Sequence, residues 1–450
     1  MNTISENARS TPVVAEGDVV VCGGGPAGVA AAISAARAGA HTILVEAQGA
    51  FGGMWTLGMQ THATCFNDGR RVIVGGIARE IIDRLSALGA AEDPEAKLQS
   101  TPPTAYAAYY SAFDPNIMKC VLDQMIVEAG VQPLLHTPCV GAMVEGDCIS
   151  GVITESKSGR QAIRAAVTID CTGDADVAFF AGAPTLKGRA GDGKCQPVTL
   201  TFMLADVDYA KACRWAEAHP EEREAVEREA RACGELTVPQ RVGLGALTPV
   251  PGVTYHNVTR ILDVDATSAA GLTRAQIEGR RQVLEVVRYY RKRIPGFEAC
   301  RLAAIAPMVG LRESRRIVGD YTLTAADVLA ARSFPDGIAR QNYYIDVHSP
   351  DGVGLEGRSS GKLRPPVGSF YEVPYRCLVP REREQLLVAG RCISADREAL
   401  GSARTTVCCV QMGQAAGLAA AWAVRDRTRV RAVDGPALKA ALMASGAWTA

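Results

Sequence analysis

Residues 23–28 read Gly-Gly-Gly-Pro-Ala-Gly, a G-x-G-x-x-G set between an apolar run at 18–22 and a small-residue stretch from 29 onward. No other feature restricts the fold of this chain so strongly. A β-branched run without polar alternation is the pattern of a strand buried on both faces of a parallel sheet. The glycines break it, residues 29–38 continue as a helix, and residues 41–46 form a second strand that ends on Glu46, so the segment is a βαβ unit. Gly23 and Gly25 permit a tight turn and the close approach of a diphosphate, with Pro26 and Ala27 opening the helix. Gly28 lets that helix lie against the strand, and Glu46 can accept both hydroxyls of a ribose. The helix N-terminus adds free N–H groups and partial positive charge.

With 450 residues the chain suits one large α/β unit or two to three coupled domains. Its 48% hydrophobic and 21% charged residues exclude global disorder, collagen and coiled coil. Lys+Arg 48 against Asp+Glu 48 leaves no net charge, so neither a nucleic acid nor an anionic membrane is expected as a partner. The 14 cysteines are scattered, with no C-x-x-C and only Cys408 and Cys409 adjacent. That is neither a disulfide framework nor a metal signature, and it fits a reducing compartment. The polar N-terminus carries two acids before any apolar run, unlike a secretory signal, and a cytoplasmic location is expected. The longest apolar stretches, 27–36 and 415–424, are about ten residues each, short of the roughly 18–20 that cross a bilayer.

Further along, residues 132–135, 140–144, 149–154 and 162–170 read as short strands, and 78–88 and 117–129 as helices, with an irregular Pro/Tyr-rich stretch at 94–111. Composition shifts near Lys187. From there to about Ser369 the chain mixes a charged helix at 220–232, a long amphipathic helix at 274–293 and short strands such as 301–306 and 343–348. A buried strand returns at 385–389 and a small-residue helix at 407–424. The expected organisation is a disordered lead at 1–16, a nucleotide-binding domain built from 17–186 and 370–428, an inserted substrate or cap domain at 187–369, and a C-terminal helix or tail at 429–450.

The first motif does not choose between NAD and FAD. Residues 49–54, Gly-Ala-Phe-Gly-Gly-Met, put a glycine pair shortly after the ribose-binding acid, where FAD proteins run the chain past the diphosphate toward the flavin. Here the chain resembles the FAD-dependent oxidoreductases that include the flavoprotein subunits of fumarate reductase and succinate dehydrogenase. Residues 169–174 (Ile-Asp-Cys-Thr-Gly-Asp) and 386–391 (Leu-Leu-Val-Ala-Gly-Arg) look like the family's turns near the adenine and the ribitol. Residues 390–394, 399–404, 412–417, 312–319 and 371–376 are similar to a bacterial group within it, and the likeness spans about 17–424. The resemblance implies an α/β fold: a Rossmann-like FAD-binding domain of glutathione-reductase type with an inserted α+β substrate or cap domain. It implies FAD contacts from Ala47, Gly52, Gly53, Met54, Val140, Thr172, Gly173, Asp174, Gly390 and Arg391. It also implies contacts from Gly413, Gln414 and Ala415, where a helix N-terminus would meet the flavin O2 edge and stabilise negative charge there.

The chain departs from relatives in four places. Arg391 stands where the disulfide reductases carry Asp, no redox C-x4-C follows the first helix, and no second G-x-G-x-x-G offers a separate NAD(P)H domain. No histidine precedes the glycine pair as in covalently flavinylated fumarate reductases, so noncovalent FAD is expected.

A flavin dehydrogenase needs a proton-accepting group and side chains that fix the substrate. Among the 6 histidines, His348 shares a strand face with Asp346, which could orient its imidazole, and His62 lies shortly after Gly53. The alternative for Asp346 and His348 is that both belong to the cap's surface; His62 is placed close to where the chain should reach the flavin ring. Arg404 could clamp a substrate carboxylate, hold the flavin pyrimidine or tie a loop, and Arg376 has the same readings. The cluster Arg312, Glu313, Arg315 and Arg316 reads as a structural charge run on a helix, and Met412 and the aromatic stretch 106–110 read as packing. The function expected is hydride transfer between flavin and a small organic substrate, with a carboxylate on it, an unidentified electron donor or acceptor, and self-association left open. An NAD(P)H-dependent flavin monooxygenase and a protein using FAD structurally are the alternatives.

Overall fold

A computed structural model describes residues 3–4, 9–101 and 106–449. Strand β1 (Val13–Cys22) runs into the Gly23–Gly25 turn and helix α1 (Pro26–Arg37), which returns to β2 (Thr42–Val45). The central sheet then gains β3 (Gln132–Leu134), β4 (Cys139–Glu145), β5 (Cys148–Ser156) and β6 (Gly159–Asp170). β3, β2, β1 and β6 are parallel neighbours, and β5 and β4 extend the sheet as an antiparallel meander. The end of β6 pairs on its other edge with the late strand Leu386–Val388, also parallel. Residues from both ends of the chain therefore share one sheet.

Alternation along the buried end of β1, Val19–Cys22, shows why it lacks polar positions. Val19 and Val21 join the core under the helices, while Val20 and Cys22 point into the opposite core with Ile43, Val152 and Ala178. Parallel strands covered on both faces need apolar side chains at every position.

The lead differs from its expectation. β1 begins at Val13, with Val13 opposite Ala162 and Ala15 opposite Ile163, because the edge of the long β6 is there to be paired. Residues 1–2 and 5–8 lie outside the described residues, as do 102–105 of the Pro/Tyr-rich stretch. The rest of that stretch is ordered: Pro94–Ser100 is a short helix capped by Asp93, and Tyr110–Ala112 pairs with His62–Thr64.

The inserted region builds a second sheet from β7 (Phe202–Ala205), β8 (Ala246–Leu247), β9 (Thr254–His256) and β10 (Arg301–Ile305), backed by helix α2 (Ala269–Arg293). α2 starts earlier than residue 274 because the Ser268 hydroxyl accepts from the Gly271 amide, and three basic residues in its last turn suit the C-terminal dipole. His256 is a packing residue here, stacked on Phe202 and 3.1 Å from the Tyr290 hydroxyl. Residues 343–348 are not a strand. The strand is Gly337–Gln341, and the chain beyond it runs irregularly past the cavity described below.

Helix α3 (Thr406–Arg425) closes the core against α1. It has a mean hydropathy of 1.4 and is the one helix among the described residues long and apolar enough to cross a bilayer. It is longer than the ten-residue apolar run expected there, yet 83% of that apolar window is buried inside the protein. The contact with α1 is intimate: a Cβ on Gly413 would lie 2.0 Å from the Ala27 carbonyl oxygen, and one on Gly417 would lie 2.1 Å from that of Ala31. The C-terminal segment is docked as well. Gly435–Ala444 is helical, and the Trp448 indole donates to Gln411 at 3.1 Å.

Candidate active site

The carboxyl ends of β1, β2 and β6 open on a cavity of about 1030 Å³ that continues under the inserted sheet. That is at the upper limit of the roughly 300–1,000 Å³ common for ligand sites. One end is built from the expected dinucleotide residues: Gly23, Gly25, Pro26, Ala27, Glu46, Ala47, Gly53, Met54, Thr172, Gly173, Asp174, Gly390 and Arg391 all line it.

This end fits a dinucleotide on two observations. A Cβ on Gly25 would meet nothing within 4 Å, so the space beside the backbone at the start of α1 belongs to the cavity. Gly25 caps α1 without any side-chain bond, which leaves first-turn amides for a diphosphate. Glu46 is held by the Gly24 amide at 2.6 Å and the Gln48 amide at 2.7 Å. Each carboxylate oxygen keeps a second lone pair for a ribose hydroxyl. Burial raises the Glu46 pKa, partly offset by those amides.

Seven expected residues do not line the cavity. A Cβ on Gly28 would sit 1.7 Å from the Gly23 carbonyl oxygen, so this glycine serves the helix–strand contact. Gly52 takes φ 100° at the turn before Met54. Val140 is displaced by its neighbours, since Thr137, Pro138 and Cys139 line the wall. Gly413 and Ala415 are packed in the interior of α3, and the Gln414 side chain accepts from the Ile77 amide at 3.0 Å. The N-terminus of α3 that faces the cavity is Thr405–Thr406, a turn or two earlier than the sequence motif suggested. Arg376 is half-exposed, paired with Asp336 at 2.9 Å and laid over Tyr321. Arg391 also carries a structural load, bonding Asp174 and the Ser314 hydroxyl at 3.0 Å each.

The other end is cationic. Arg260, Arg312 and Arg404 line it together with Asp346 and His348. Arg404 donates to the Asp346 carboxylate at 3.0 Å and its carbonyl at 2.9 Å. Arg260 donates to Gln240 and to the Ser349 carbonyl, and its backbone is clamped to α2 through Gln282. Arg312 donates to the Pro197 carbonyl at 2.8 Å, and burial together with Arg404 lowers its pKa to about 10, leaving it charged at neutral pH. Burial opposes ionisation of Asp346, but His348, Arg404 and Arg312 outweigh it and hold the carboxyl well below its usual range. Three guanidiniums against one carboxylate leave two uncompensated positive charges.

His348 is fixed on both sides. Arg260 Nη1, which can only donate, lies 3.2 Å from Nδ1, so Nδ1 is the acceptor and Nε2 carries the proton. Nε2 in turn lies 3.2 Å from Asp346 Oδ1. The carboxylate faces the imidazole from an irregular segment rather than from the shared strand face expected, and the lone pair needed for a base is committed to Arg260. His62 is the other histidine of the cavity, with Nδ1 3.1 Å from the Thr61 hydroxyl and its ring between Tyr110 and Tyr255.

Arg312 was expected on a structural helix. The segment instead forms the short strand Arg315–Ile317, and the isolated pairing of Gly310 with Thr199 turns Arg312 into the cavity. Its companions are structural: buried Glu313 pairs with Arg397, and Arg315 pairs with Asp176. Tyr110, from the stretch expected to pack, lines the cavity too.

Three histidines predict an acid-labile fold. Burial lowers His62 to about 4, His256 to about 3 and His348 to about 4, from an ordinary 6.5. Between pH 6.5 and 4 the unfolded chain therefore binds protons that the folded chain refuses, and stability falls as pH falls, by about 1.4 kcal/mol per pH unit for each group. Thermal melts are expected to be flat above pH 7 and to drop steeply below 6.5. His256→Gln, away from the cavity, should make that drop shallower, and an unchanged slope would contradict the assignment.

A family model described as FAD dependent oxidoreductase matches residues 18–442. No curated protein matches the chain. Solved structures similar to it include a geranylgeranyl bacteriochlorophyll reductase-like protein from Thermoplasma acidophilum, at 12% identity over 96% of this chain and 83% of that one, with a TM-score of 0.43. Another is p-nitrophenol 4-monooxygenase from Pseudomonas putida DLL-E4, at 11% identity over 94% and 84%, with a TM-score of 0.47. A flavin-dependent brominase aligns at 12% identity over 95% and 83%, with a TM-score of 0.44. With a family match over nearly its whole length, this chain belongs to the FAD dependent oxidoreductases, enzymes whose cofactor is FAD.

Proposed function

We propose that the protein binds FAD noncovalently along the cavity, in a Rossmann-type domain shared by the two ends of the chain, and exchanges a hydride with a small carboxylated substrate under the inserted sheet. The observation that carries this reading is the uncompensated cluster of Arg260, Arg312 and Arg404 in the same cavity as the Gly25 and Glu46 cradle. Bound FAD supplies a two-electron hydride acceptor, or a donor in the reverse direction.

The protein's share of the work follows from the geometry. Guanidiniums recognise a carboxylate by paired N–H donors, and here the backbone contacts of Arg260 and Arg404 hold them in place before substrate arrives. Asp346 holds Arg404 and His348 accepts from Arg260, so Asp346 and His348 are positioning groups. As the hydride leaves substrate carbon, the proton from the adjacent atom needs an acceptor; His62 lines the cavity in its neutral form and takes it, the negative charge of the bound carboxylate offsetting the burial that otherwise opposes its protonation. The N-terminal end of α3 at Thr405–Thr406 places partial positive charge where negative charge grows on reduction.

The test is anaerobic mixing of the yellow protein with a panel of carboxylates and their uncharged amides. Carboxylates are expected to perturb or bleach the visible flavin band where amides do not, and Arg312→Met should weaken that response about 100-fold with FAD content intact, as loss of a charge-assisted pair implies. NADPH oxidation with oxygen uptake, indifferent to carboxylates, would instead favour a monooxygenase.

A further inference from the structure

Five rings form a continuous wall in the cavity, and none belongs to the segments that cradle the dinucleotide. Tyr255, on β9, lies 5.3 Å from the His62 ring, centroid to centroid. His62 lies 5.8 Å from Tyr110, edge to face. The Tyr110 hydroxyl is 3.1 Å from that of Tyr343, whose ring is 4.4 Å from Tyr344. All five line the cavity. Tyr255 of this wall and Arg312 of the cationic end line the same cavity. The apolar side chains Leu247, Leu272 and Leu311 line the same space.

A substrate carboxylate anchored by the arginines would leave its remaining atoms beside this wall. Aromatic rings pair with other rings edge-on or offset at centroid distances of about 4.5–7 Å, the spacing the wall already uses, and gain more from this than an alkyl chain of equal size gains from burial alone. Resting on the carboxylate reading above, we infer that the substrate is an aromatic carboxylate: a planar ring on a short chain that ends in the carboxyl group. His62, within the wall, then lies beside the carbons joining ring and carboxylate, where a proton taken during oxidation of that chain would leave. On a chain of two carbons the balance is a hydride from one to FAD and a proton from the other to His62, with a carbon–carbon double bond formed; a ligand with a single chain carbon, such as phenylacetate, binds without this step and so reports binding alone.

The experiment titrates the FAD-loaded protein with phenylacetate, hexanoate and 2-phenylethanol, reading the shift of the visible flavin band. Phenylacetate is expected to bind at least ~10-fold more tightly than either, since hexanoate lacks the ring and 2-phenylethanol the charge. Tyr255→Leu should bring phenylacetate down to the hexanoate value while leaving hexanoate nearly unchanged, and Tyr255→Phe should retain the preference. Tyr110→Leu, on the opposite side of His62, is the second variant and should act in the same direction should Tyr255→Leu fail to fold. Equal affinity for phenylacetate and hexanoate, or a preference untouched by either leucine variant, overturns the aromatic assignment alone. Tight binding of 2-phenylethanol with no response to either carboxylate overturns this inference and the carboxylate reading together.

Discussion

Glu46→Arg is expected to cost at least ~100-fold in FAD affinity, measured by fluorescence titration of the apoprotein. The carboxylate holds the Gly24 and Gln48 amides and faces the cavity with its remaining lone pairs. Bonds to a charged acceptor contribute about 1.5–3 kcal/mol each, and every 1.4 kcal/mol is a factor of ten. A guanidinium has no lone pairs for ribose hydroxyls and leaves two turn amides without their acceptor. Glu46→Gln, which keeps an acceptor, should fall between the two. A Glu46→Arg protein that purifies yellow with stoichiometric FAD would remove this residue from the site.

Gly413→Val is expected to destabilise the fold by about 3 kcal/mol or more, with loss of FAD as a consequence. Its Cβ would lie 2.0 Å from the Ala27 carbonyl oxygen and 2.7 Å from its carbon, and these are backbone atoms of a helix that cannot step aside alone. Overpacking against yielding side chains typically costs 1–3 kcal/mol, and here α1 itself must move. Because α1 begins at the Gly25 turn, that movement opens the diphosphate cradle. The contrasting variant is Gly146→Asn, at a turn with φ 66° and open space around it, which should change the melting temperature little, since Asn tolerates that conformation. A Gly413→Val melt that coincides with the parent's would contradict the packing described.

What could be read from the sequence was whatever depends on local periodicity or on glycine geometry. The βαβ unit, the strands around 140–170 and the helix Pro220–Ala232 emerge from their patterns because neighbouring residues decide them. Glu46 and Gly25 were legible because a backbone approach to phosphate admits few residue types. Gly413 shows the limit of that reasoning: a glycine in a small-residue helix looks the same whether it meets a ligand or a second helix. Arg312 and Arg260 carried no local signal for the site, since the first is turned inward by the pairing of Gly310 with Thr199, remote in the chain, and the second is held by Gln282, 22 residues away on α2. The same holds for His348, whose sequence neighbour Asp346 was visible but whose commitment to Arg260 depends on a residue 88 positions away.

The most direct test of this account is the cofactor content of the full-length protein. Purified protein should be yellow, and acid precipitation should release one FAD per chain into the supernatant, identified by chromatography and by its fluorescence gain on phosphodiesterase cleavage. A folded protein that stays colourless after incubation with excess FAD, or one whose flavin stays with the precipitate, would contradict it.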